Sequence, residues 1–475
     1  MSTTPASSAI RFFGNFADSF ANIVSESIFN KTFASHAPRG GGKPKTTAYE
    51  FVMTQVYHAM AGFGTFAAHC RQLLGYSMSD NTLSLRKQSY SCELLHELLP
   101  QVLTPLAIEL LHPYAFHAGL RLVTVDGIKF NLRNTPEINA NTTKTPCSKG
   151  SGVPAYAHLL SVVLLELGTH APLAAAVGWQ GEGEITLAST LFDSIPSHSL
   201  FIADRLYGCP SFIWKLKPTL VKTNSEMLVR VKANIRCKRL KRLTDGSWII
   251  RVDVVDPLTR KKIGTLKLRE IQAKIIVEGS TTPTLMRLWT TLLDAAAHPA
   301  ITLVKLYAER WEHELFYREL KSHIHGMDQL LHAQTTDTAA QEVFALMLAA
   351  SLLARQRVAV AKEAEVPLLR ISLAMVLSQT VALHRVMEHA ADVINEEQKV
   401  KIIASVLEEL SATALIPKRK PRRCQRAIRQ PIKNWPKMKH PTSLPLVTHI
   451  EIIEPTMEAE PKRKKTPPKP KKSNA

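Results

Sequence analysis

The spacing of hydrophobic residues divides the chain into a helical first part, a strand-rich middle and a helical last part. Between Tyr49 and His112 the apolar residues recur at helical spacing, and the sequence Ser-Asp-Asn at 79–81 is typical of a helix N-terminus. A cluster of short helices is typical of a helix-turn-helix DNA reader and equally of a small helical subdomain without DNA contact. We expect a helical subdomain here and leave both interpretations open.

Short β-branched and apolar runs replace the helical spacing from Leu120 onwards. Their succession predicts strand, hairpin, strand, helix and strand, which is typical of an α/β domain. Two of the predicted strands end at an aspartate, Asp126 after the first and Asp204 after the last. These elements are predicted in the segments 122–125, 157–167, 184–192 and 200–203.

Alternating polar and apolar residues characterise the segment Glu226–Glu278, which predicts a mostly β insertion within the α/β domain. Its basic side chains are compatible with a DNA-contacting surface and equally with the solvated outer faces of strands. They are Arg230, Lys232, Arg236, Lys238, Arg239, Lys241, Arg242, Lys261 and Lys262.

Helical spacing resumes at Ala300 and continues to about Ala412. The longest apolar run, Val343–Ala354, is too short to span a bilayer and predicts a buried helix, so no membrane is expected as a partner. After Pro417 the chain is rich in Pro and Lys, and we expect it to be disordered at least from Glu458.

The net charge of the chain indicates what kind of partner it binds. The 475 residues include 60 Lys and Arg against 40 Asp and Glu, a net charge of +20, and 17 basic and four acidic residues from Ile416 onwards account for +13 of it. Such an excess favours a polyanionic partner, first nucleic acid and second an anionic membrane surface. The lysine-rich end is typical both of a nonspecific DNA tether and of a solubilising tail.

The six cysteines are scattered, with neither CxxC nor zinc-ligand spacing. They are typical of reduced thiols in a cytoplasm. The N-terminus lacks the basic and apolar regions of a signal peptide, so we expect a cytoplasmic protein.

Asp126 and Asp204 are candidates for a carboxylate site, because ligands of open α/β sheets bind at the carboxyl ends of strands. Each has an ordinary alternative. Asp126 is followed by glycine, a common hairpin turn, and Asp204 is suited to capping a helix or pairing with Arg205.

The segment 307–321, YAERWEHELFYRELK, places four polar residues on one face of a predicted helix. At about 100° per residue, Tyr307, Arg310, Glu314 and Lys321 fall within about 60° of arc. The commoner meaning of such a pattern is an amphipathic helix with a solvated polar face.

The spacing Tyr-x2-Arg-x3-Glu-x6-Lys, preceded by the two aspartates, resembles the signature of insertion-sequence transposases of the Asp-Asp-Glu type, the group of insertion sequence four and its relatives. The segments VDGIKFNLRNTPE and IADRLYG resemble that family's two aspartate segments, and the likeness covers about residues 45–440. It implies an α/β, ribonuclease-H-like catalytic domain with a β-rich insertion between Asp204 and Glu314. It also implies that Asp126, Asp204 and Glu314 are the catalytic, metal-binding residues. Ile128 is a minor departure, because a small polar residue is common there.

Three carboxylates without a Cys/His cluster suit Mg²⁺ or Mn²⁺ rather than zinc. We expect two ions, with Tyr307, Arg310 and Lys321 binding DNA phosphates beside them. By analogy with the family, Trp289 is our candidate for stacking on a flipped base, although an interior position is the commoner meaning of a tryptophan here.

These observations predict seven parts of the chain. They are an N-terminal arm and linker (1–45), a helical subdomain that is a candidate for DNA binding (46–118), the first part of the catalytic core (119–222), the β-rich insertion (223–292), the second part of the core with the Glu314 helix (293–330), a C-terminal helical region (331–415) and a basic tail (416–475).

The resemblance implies a bacterial, nucleoid-associated DNA transposase that cuts transposon ends and joins them to target DNA by cut and paste. Its partners would be transposon-end and target double-stranded DNA, and a homodimer would hold the two ends together. The alternatives are a catalytically silent or domesticated DNA-binding protein derived from a transposase and a two-metal nuclease that does not transpose. A carboxylate-pair sugar hydrolase is disfavoured by the basic charge.

Overall fold

The computed structural model of the protein describes residues 13–37, 44–142, 156–179, 182–277, 283–326, 330–417 and 447–452. The predicted disorder beyond Glu458 lies outside these residues. The strands are β1 (Phe116–His117), β2 (Leu120–Asn131), β3 (His158–Glu166), β4 (Ala171–Gly178), β5 (Ser199–Ala203), β6 (Glu226–Arg230), β7 (Lys238–Arg242), β8 (Trp248–Val255), β9 (Lys262–Val277), β10 (Thr284–Thr290) and β11 (Val447–Ile452).

The α-helices lie before, between and after these strands. They are α1 (Phe16–Ala21), α2 (Glu26–Phe33), α3 (Ala48–Ala61), α4 (Phe66–Leu74), α5 (Asp80–Gln88), α6 (Cys92–Val102), α7 (Pro136–Asn141), α8 (Glu184–Thr190), α9 (Pro210–Lys222), α10 (Ala300–Leu306), α11 (Trp311–Glu319), α12 (Thr336–Glu363), α13 (Leu373–His389) and α14 (Glu396–Thr413).

One large mixed sheet forms the centre of the protein. Its order is β4-β3-β2-β5-β6-β10-β9-β8-β7, with β1 beside β2 and β11 beside β9. The strands β2, β3 and β4 are antiparallel, whereas β5 and β6 join β2 in parallel. A mixed sheet with helices packed against it confirms the predicted α/β class.

Strand β2 is longer than predicted, and the expectation that it ends just before Asp126 was wrong. Residues 123–131 all pair with β3, and Ile128 and Phe130 are buried against the helices that cover this face. The parallel neighbour β5 follows β2 only as far as Thr124, which pairs with Ile202. Asp126 therefore lies inside a strand, at the level where the next strand stops.

The segment predicted as a β-rich insertion continues this same sheet. Strand β6 lies within the predicted range 223–292, yet it pairs in parallel with β5 and so belongs with the central strands. From β10 through β9, β8 and β7 every pairing is antiparallel. The antiparallel extension thus begins only after β6.

The helices α1 to α6 and α12 to α14 share one hydrophobic core. Phe16 and Phe20 of α1 and Phe29 of α2 are at most 1% exposed and pack with residues of α12 and α13. The described residues 13–37 are therefore part of the helical body rather than an arm. Helix α12 as a whole, 28 residues, is long and apolar enough by length and composition to cross a membrane, but 89% of its apolar window is buried within the protein, as predicted for a core helix.

The two faces of the central sheet are covered by different helices. On one face, Val123, Phe201 and Met227 pack with residues of α8 and α9. On the other, Leu122, Ile202 and Leu228 pack with residues of α10 and with Tyr307. Side chains alternate between faces along a strand, so Asp126 shares a face with Leu122 and Thr124, towards α10 and α11.

Candidate active site

Asp126 and Asp204 occupy equivalent positions on neighbouring parallel strands. Thr124 pairs with Ile202, and each aspartate follows its paired residue by two positions. Because side chains two residues apart lie on the same face, both carboxylates project from the face covered by α10 and α11. The backbone thus brings the two predicted aspartates together, Asp126 within β2 and Asp204 just after β5.

Glu314 comes to this face on an irregular helix. A 3₁₀ turn covers Tyr307–Arg310, α11 covers Trp311–Glu319, and a π-helical turn covers Leu320–His325. The 3₁₀ turn has about three residues per turn, so it aligns the first and last residues of Tyr307–Arg310. The four signature residues are therefore not on one ideal α-helix.

Arg310 links Glu314 to the sheet. Its Nη2 donates to Glu314 Oε1 at 2.9 Å, and its Nη1 lies 3.6 Å from Asp126 Oδ2. The guanidinium therefore lies between a carboxylate of the sheet and a carboxylate of the helix. Tyr317, one turn after Glu314, donates its hydroxyl to the Asp126 carbonyl and joins the helix to β2 directly.

The pKa of Asp126 differs from that of an ordinary aspartate. Burial raises the pKa of Asp126 to about 6, and the carboxylates of Glu184 and Asp204 add to this rise. The Gly127 N–H and the Arg310 guanidinium act against it. Such crowding of negative charge is relieved by a cation, which is the role that Arg310 has here.

Glu184 is a further carboxylate at this site that our sequence reasoning missed. It is the first residue of α8 and reaches β2 on the side of Gly127. Tyr207, which is fully buried, donates its hydroxyl to Glu184 Oε1 at 2.7 Å. The sequence predicted Glu184 only as the start of a helix, and a helix-starting glutamate is too common to signal a site.

Two other predicted phosphate contacts are partly engaged within the protein. Tyr307 is 6% exposed and packs in the core beneath the sheet. Lys321, in the π-helical turn, donates its Nζ to the carbonyl of Lys129 at 2.8 Å. Both therefore lie next to the strands that carry the aspartates, and their phosphate contacts stay a prediction.

The prediction for Trp289 is corrected. Its side chain is 0% exposed, and its indole N–H donates to Glu270 Oε2 at 3.0 Å inside the extended part of the sheet. An interior tryptophan whose only polar atom is already bonded does not offer a face to a nucleotide base. Its apolar ring packs in the core under β6 and β8 instead.

The donor set suits a hard divalent cation. Among the residues that the structure describes, no three Asp, Glu, His or Cys side chains converge closely enough to hold a metal ion as they stand. Glu314 is turned towards Arg310, whose guanidinium is a cation placed between Glu314 and Asp126. Carboxylate oxygens around a site that already favours positive charge fit Mg²⁺ or Mn²⁺.

The antiparallel extension carries a row of like charges across three strands. Lys238 of β7 pairs directly with Arg251 of β8, which pairs directly with Lys267 of β9, and all three side chains are exposed. Neighbouring strands lie about 4.8 Å apart, and like charges directly opposite one another are unfavourable. We call these three residues the basic row, and its charge fits a polyanionic ligand.

Comparison with known proteins gives three findings. The family model described as Transposase DDE domain matches residues 110–353, which include Asp126, Asp204 and Glu314. Transposase InsG for insertion sequence element IS4, of Escherichia coli (strain K12), is 26% identical over 253 residues, covering 53% of this chain and 55% of that protein. The chain thus spans about half the length of this relative.

Among solved structures, the chain resembles a cryo-EM structure of the piggyBac transposase synaptic complex with hairpin DNA. The TM-score is 0.44 at 10% identity, and the match covers 83% of this chain and 86% of that chain.

Proposed function

Because the chain belongs to the transposase DDE domain family, we propose that it is the DNA transposase of an insertion sequence. It would cut the ends of the element and join them to target DNA. The observation that carries the proposal is the placement of Asp126 and Asp204 two residues beyond the paired residues Thr124 and Ile202 of neighbouring strands, with Arg310 linking Asp126 to Glu314. The sequence motif identifies the three carboxylates, and this geometry explains how they could act at one site.

The ribonuclease-H-like fold is part of this proposal. Its support is the strand order β4-β3-β2-β5-β6, in which three antiparallel strands are followed by two parallel ones. Ligands of such sheets bind at the carboxyl ends of the parallel strands, where Asp204 follows β5 and Arg310 joins Asp126 to Glu314.

Each of the three carboxylates has a role in the proposed chemistry. Asp126, Asp204 and Glu314 would hold two Mg²⁺ or Mn²⁺ ions, with Asp126 between the other two. Divalent ions bound there supply positive charge that activates a water or 3′-hydroxyl nucleophile and stabilises the leaving oxygen. Glu314 must turn from Arg310 to take this role, and Arg310 is then available to a DNA phosphate.

The reaction would proceed in two stages at one site. Water cleaves the phosphodiester at the element end, and the freed 3′-hydroxyl then attacks target DNA in a cut-and-paste reaction. Lys321 and Tyr307 would bind phosphates near Arg310, since all three lie on the segment that carries Glu314. Two ends must be brought together, so a homodimer would form the synaptic complex, in the bacterial cytoplasm at the nucleoid.

The basic row supports double-stranded DNA as the partner. Lys238, Arg251 and Lys267 lie on the same continuous sheet as β5, the strand that precedes Asp204, and are connected to it through β6, β10 and β9. Regularly spaced cations suit the phosphate backbone, which provides most of the sequence-independent affinity for DNA.

A cleavage assay tests the proposal. Purified protein is incubated with a labelled duplex that contains the flanked element end, in Mg²⁺, in Mn²⁺ and in EDTA, beside Glu314→Gln. We expect metal-dependent nicking at the 3′ boundary of the element, and loss of nicking in the variant. DNA binding without cleavage, identical in wild type and variant, would instead support a catalytically silent DNA-binding protein.

A further inference from the structure

His170 contacts the Glu314 helix at two points. The residue lies in the turn between β3 and β4 and is 3% exposed. Its Nδ1 lies 2.7 Å from Glu319 Oε2, and its Nε2 lies 3.1 Å from Glu312 Oε2. Glu312 and Glu319 are both on α11 and flank Glu314, so one imidazole bridges two turns of this helix.

The two acceptors define the protonation state of the ring. A carboxylate accepts hydrogen bonds and does not donate them, so both ring nitrogens must carry a proton for both contacts to form. Burial opposes the charged ring, but the carboxylates of Glu319 and Glu312 outweigh burial and raise the pKa of His170. The two contacts and the neighbouring carboxylates therefore both favour the imidazolium form of the ring.

The turn that carries His170 is anchored on the other side. Glu166, at the end of β3, is fully buried and accepts hydrogen bonds from the N–H of Leu106 at 3.0 Å and of Ala107 at 2.9 Å. It also accepts from Arg121 and from Thr169, the residue before His170. His170 itself has a φ of +55°, a conformation that L-residues seldom adopt and that persists only where the surroundings fix it.

We propose that His170 is a positioning residue for Glu314, which it acts on by holding α11 against the sheet through Glu312 and Glu319. This inference rests on the proposed function, because it assigns Glu314 to the reacting site. The hydrogen-bond partners of the ring are Glu319 and Glu312, and not one of the three proposed catalytic carboxylates. Its effect reaches the site through the position of the helix.

Among the residues that the structure describes, the charged and titratable groups that face His170 lie on two helices. Helix α11 presents Glu312, His313 and Glu319, and α12 presents Arg357, which donates to Glu319 Oε2 at 3.3 Å. When pH rises through the raised pKa of His170, one ring nitrogen becomes an acceptor that faces a carboxylate. One contact to α11 is then lost, so the helix is held most firmly below that pKa and less firmly above it.

The first experiment does not depend on activity. Amide hydrogen exchange over Trp311–Glu319 is compared in the full-length wild type, His170→Gln and Glu312→Gln. The control is His198→Gln, since His198 also has a φ of +55° but is exposed, just before β5. We expect faster exchange over this segment in His170→Gln and Glu312→Gln, by at least about fivefold, and wild-type exchange in the control. Unchanged protection in both of the first two variants would overturn the proposal.

The second experiment measures cleavage against pH under single-turnover conditions. We expect His170→Gln to lower the cleavage rate about tenfold or more with little change in DNA affinity, because a small displacement of a reacting group costs this much. We also expect the alkaline fall of the wild-type rate to be weaker in this variant. A variant with the wild-type rate and pH profile would contradict the positioning role. If the wild type itself cleaves nothing, the proposed function fails, while the exchange data still decide whether His170 holds the helix.

Discussion

The carboxylate of Glu184 occupies the space that a β-carbon at residue 127 would take, where the chain has Gly127. A β-carbon at residue 127 would come within 2.5 Å of Glu184 Cδ and 2.7 Å of its Oε2. Only glycine leaves room for this contact, which places a fourth carboxylate next to Asp126 from the opposite side of β2. Glycine is therefore required at position 127 by the contact with Glu184, and not by a turn of the backbone.

Gly127→Ala tests this relationship. The added methyl displaces the end of a flexible side chain rather than the backbone, so we expect a folded protein with a melting temperature near that of the wild type. We expect the cleavage rate to fall about tenfold, because Glu184 moves relative to Asp126. The control is Gly183→Ala, where a β-carbon meets nothing within 4 Å. Equal cleavage by both variants would mean that the position of Glu184 is immaterial.

A second prediction concerns the role of the Arg310 guanidinium in cleavage. Arg310→Gln removes the guanidinium that lies 3.6 Å from Asp126 and 2.9 Å from Glu314. If Arg310 neutralises phosphate charge in the reaction, single-turnover cleavage should fall about a hundredfold or more, as on loss of other charge-stabilising groups. Arg318→Gln, an exposed position on the same helix, should cleave normally. A normal rate for Arg310→Gln would remove Arg310 from the site.

The basic row predicts a change in salt dependence. With Lys238, Arg251 and Lys267 all changed to Gln, the slope of log affinity for duplex DNA against log salt should decrease in magnitude by about 2 to 3, since each phosphate contact contributes about 0.9. Binding is measured by fluorescence anisotropy at several salt concentrations. A double Lys399→Gln, Lys401→Gln protein is the control, because these lysines pair with Glu396 and Glu397 on α14. An unchanged slope in the triple variant would place DNA elsewhere.

Trp289→Phe distinguishes an interior role from a base-stacking role. The change removes the indole donor from the buried Glu270, so we expect a loss of about 1–3 kcal/mol in the free energy of unfolding. Denaturant titration measures this loss. Cleavage per folded molecule should remain at the wild-type rate. A stable variant with defective cleavage would restore the stacking role.

The buried carboxylate of Glu319 should make the stability of the fold sensitive to acid. Burial acts to raise the pKa of Glu319, but Arg357 and His170 outweigh it and lower the pKa to about 2. Because the folded pKa is below the unfolded value, the carboxylate stabilises the fold above about pH 4.5, and this contribution is lost as pH falls towards 2. Melting temperatures between pH 7 and pH 3 should therefore fall less steeply for Glu319→Gln than for wild type. Glu409→Gln, an exposed position on α14, should follow the wild-type curve.

The three carboxylates were predicted from sequence through the family resemblance of the Tyr-x2-Arg-x3-Glu-x6-Lys spacing, since each aspartate alone had an ordinary alternative. Asp204 follows a short apolar run that is a strand, and Glu314 lies in a segment whose spacing is helical. Asp126 was identified for a partly wrong reason, since β2 continues for five residues beyond it. The local Asp-Gly pattern suggests a turn, but pairing with β3 outweighs that preference.

Features that depend on tertiary contact were not predictable in this way. Glu184 and Tyr207 are 23 residues apart and meet only after α8 packs on the sheet. His170 likewise pairs with Glu319, which is 149 residues away in the sequence, and no periodic pattern of residues predicts this pair. Trp289 failed as a stacking candidate because alternation along β10 does not reveal that both faces of the extended sheet are covered at that point.

The unbroken hydrogen bonding from β6 to β7 makes the antiparallel extension non-modular. Strand β10 pairs with β6 on one side and with β9 on the other, so no gap separates the extension from the strands that carry the aspartates. A shortened chain without β7 to β10 would leave residues 226–230 with a free row of N–H and C=O groups next to Asp204. Open edges of this kind recruit other strands and promote aggregation. Evolution of a smaller enzyme from this one would therefore need a new cover for β6 before it could lose the extension.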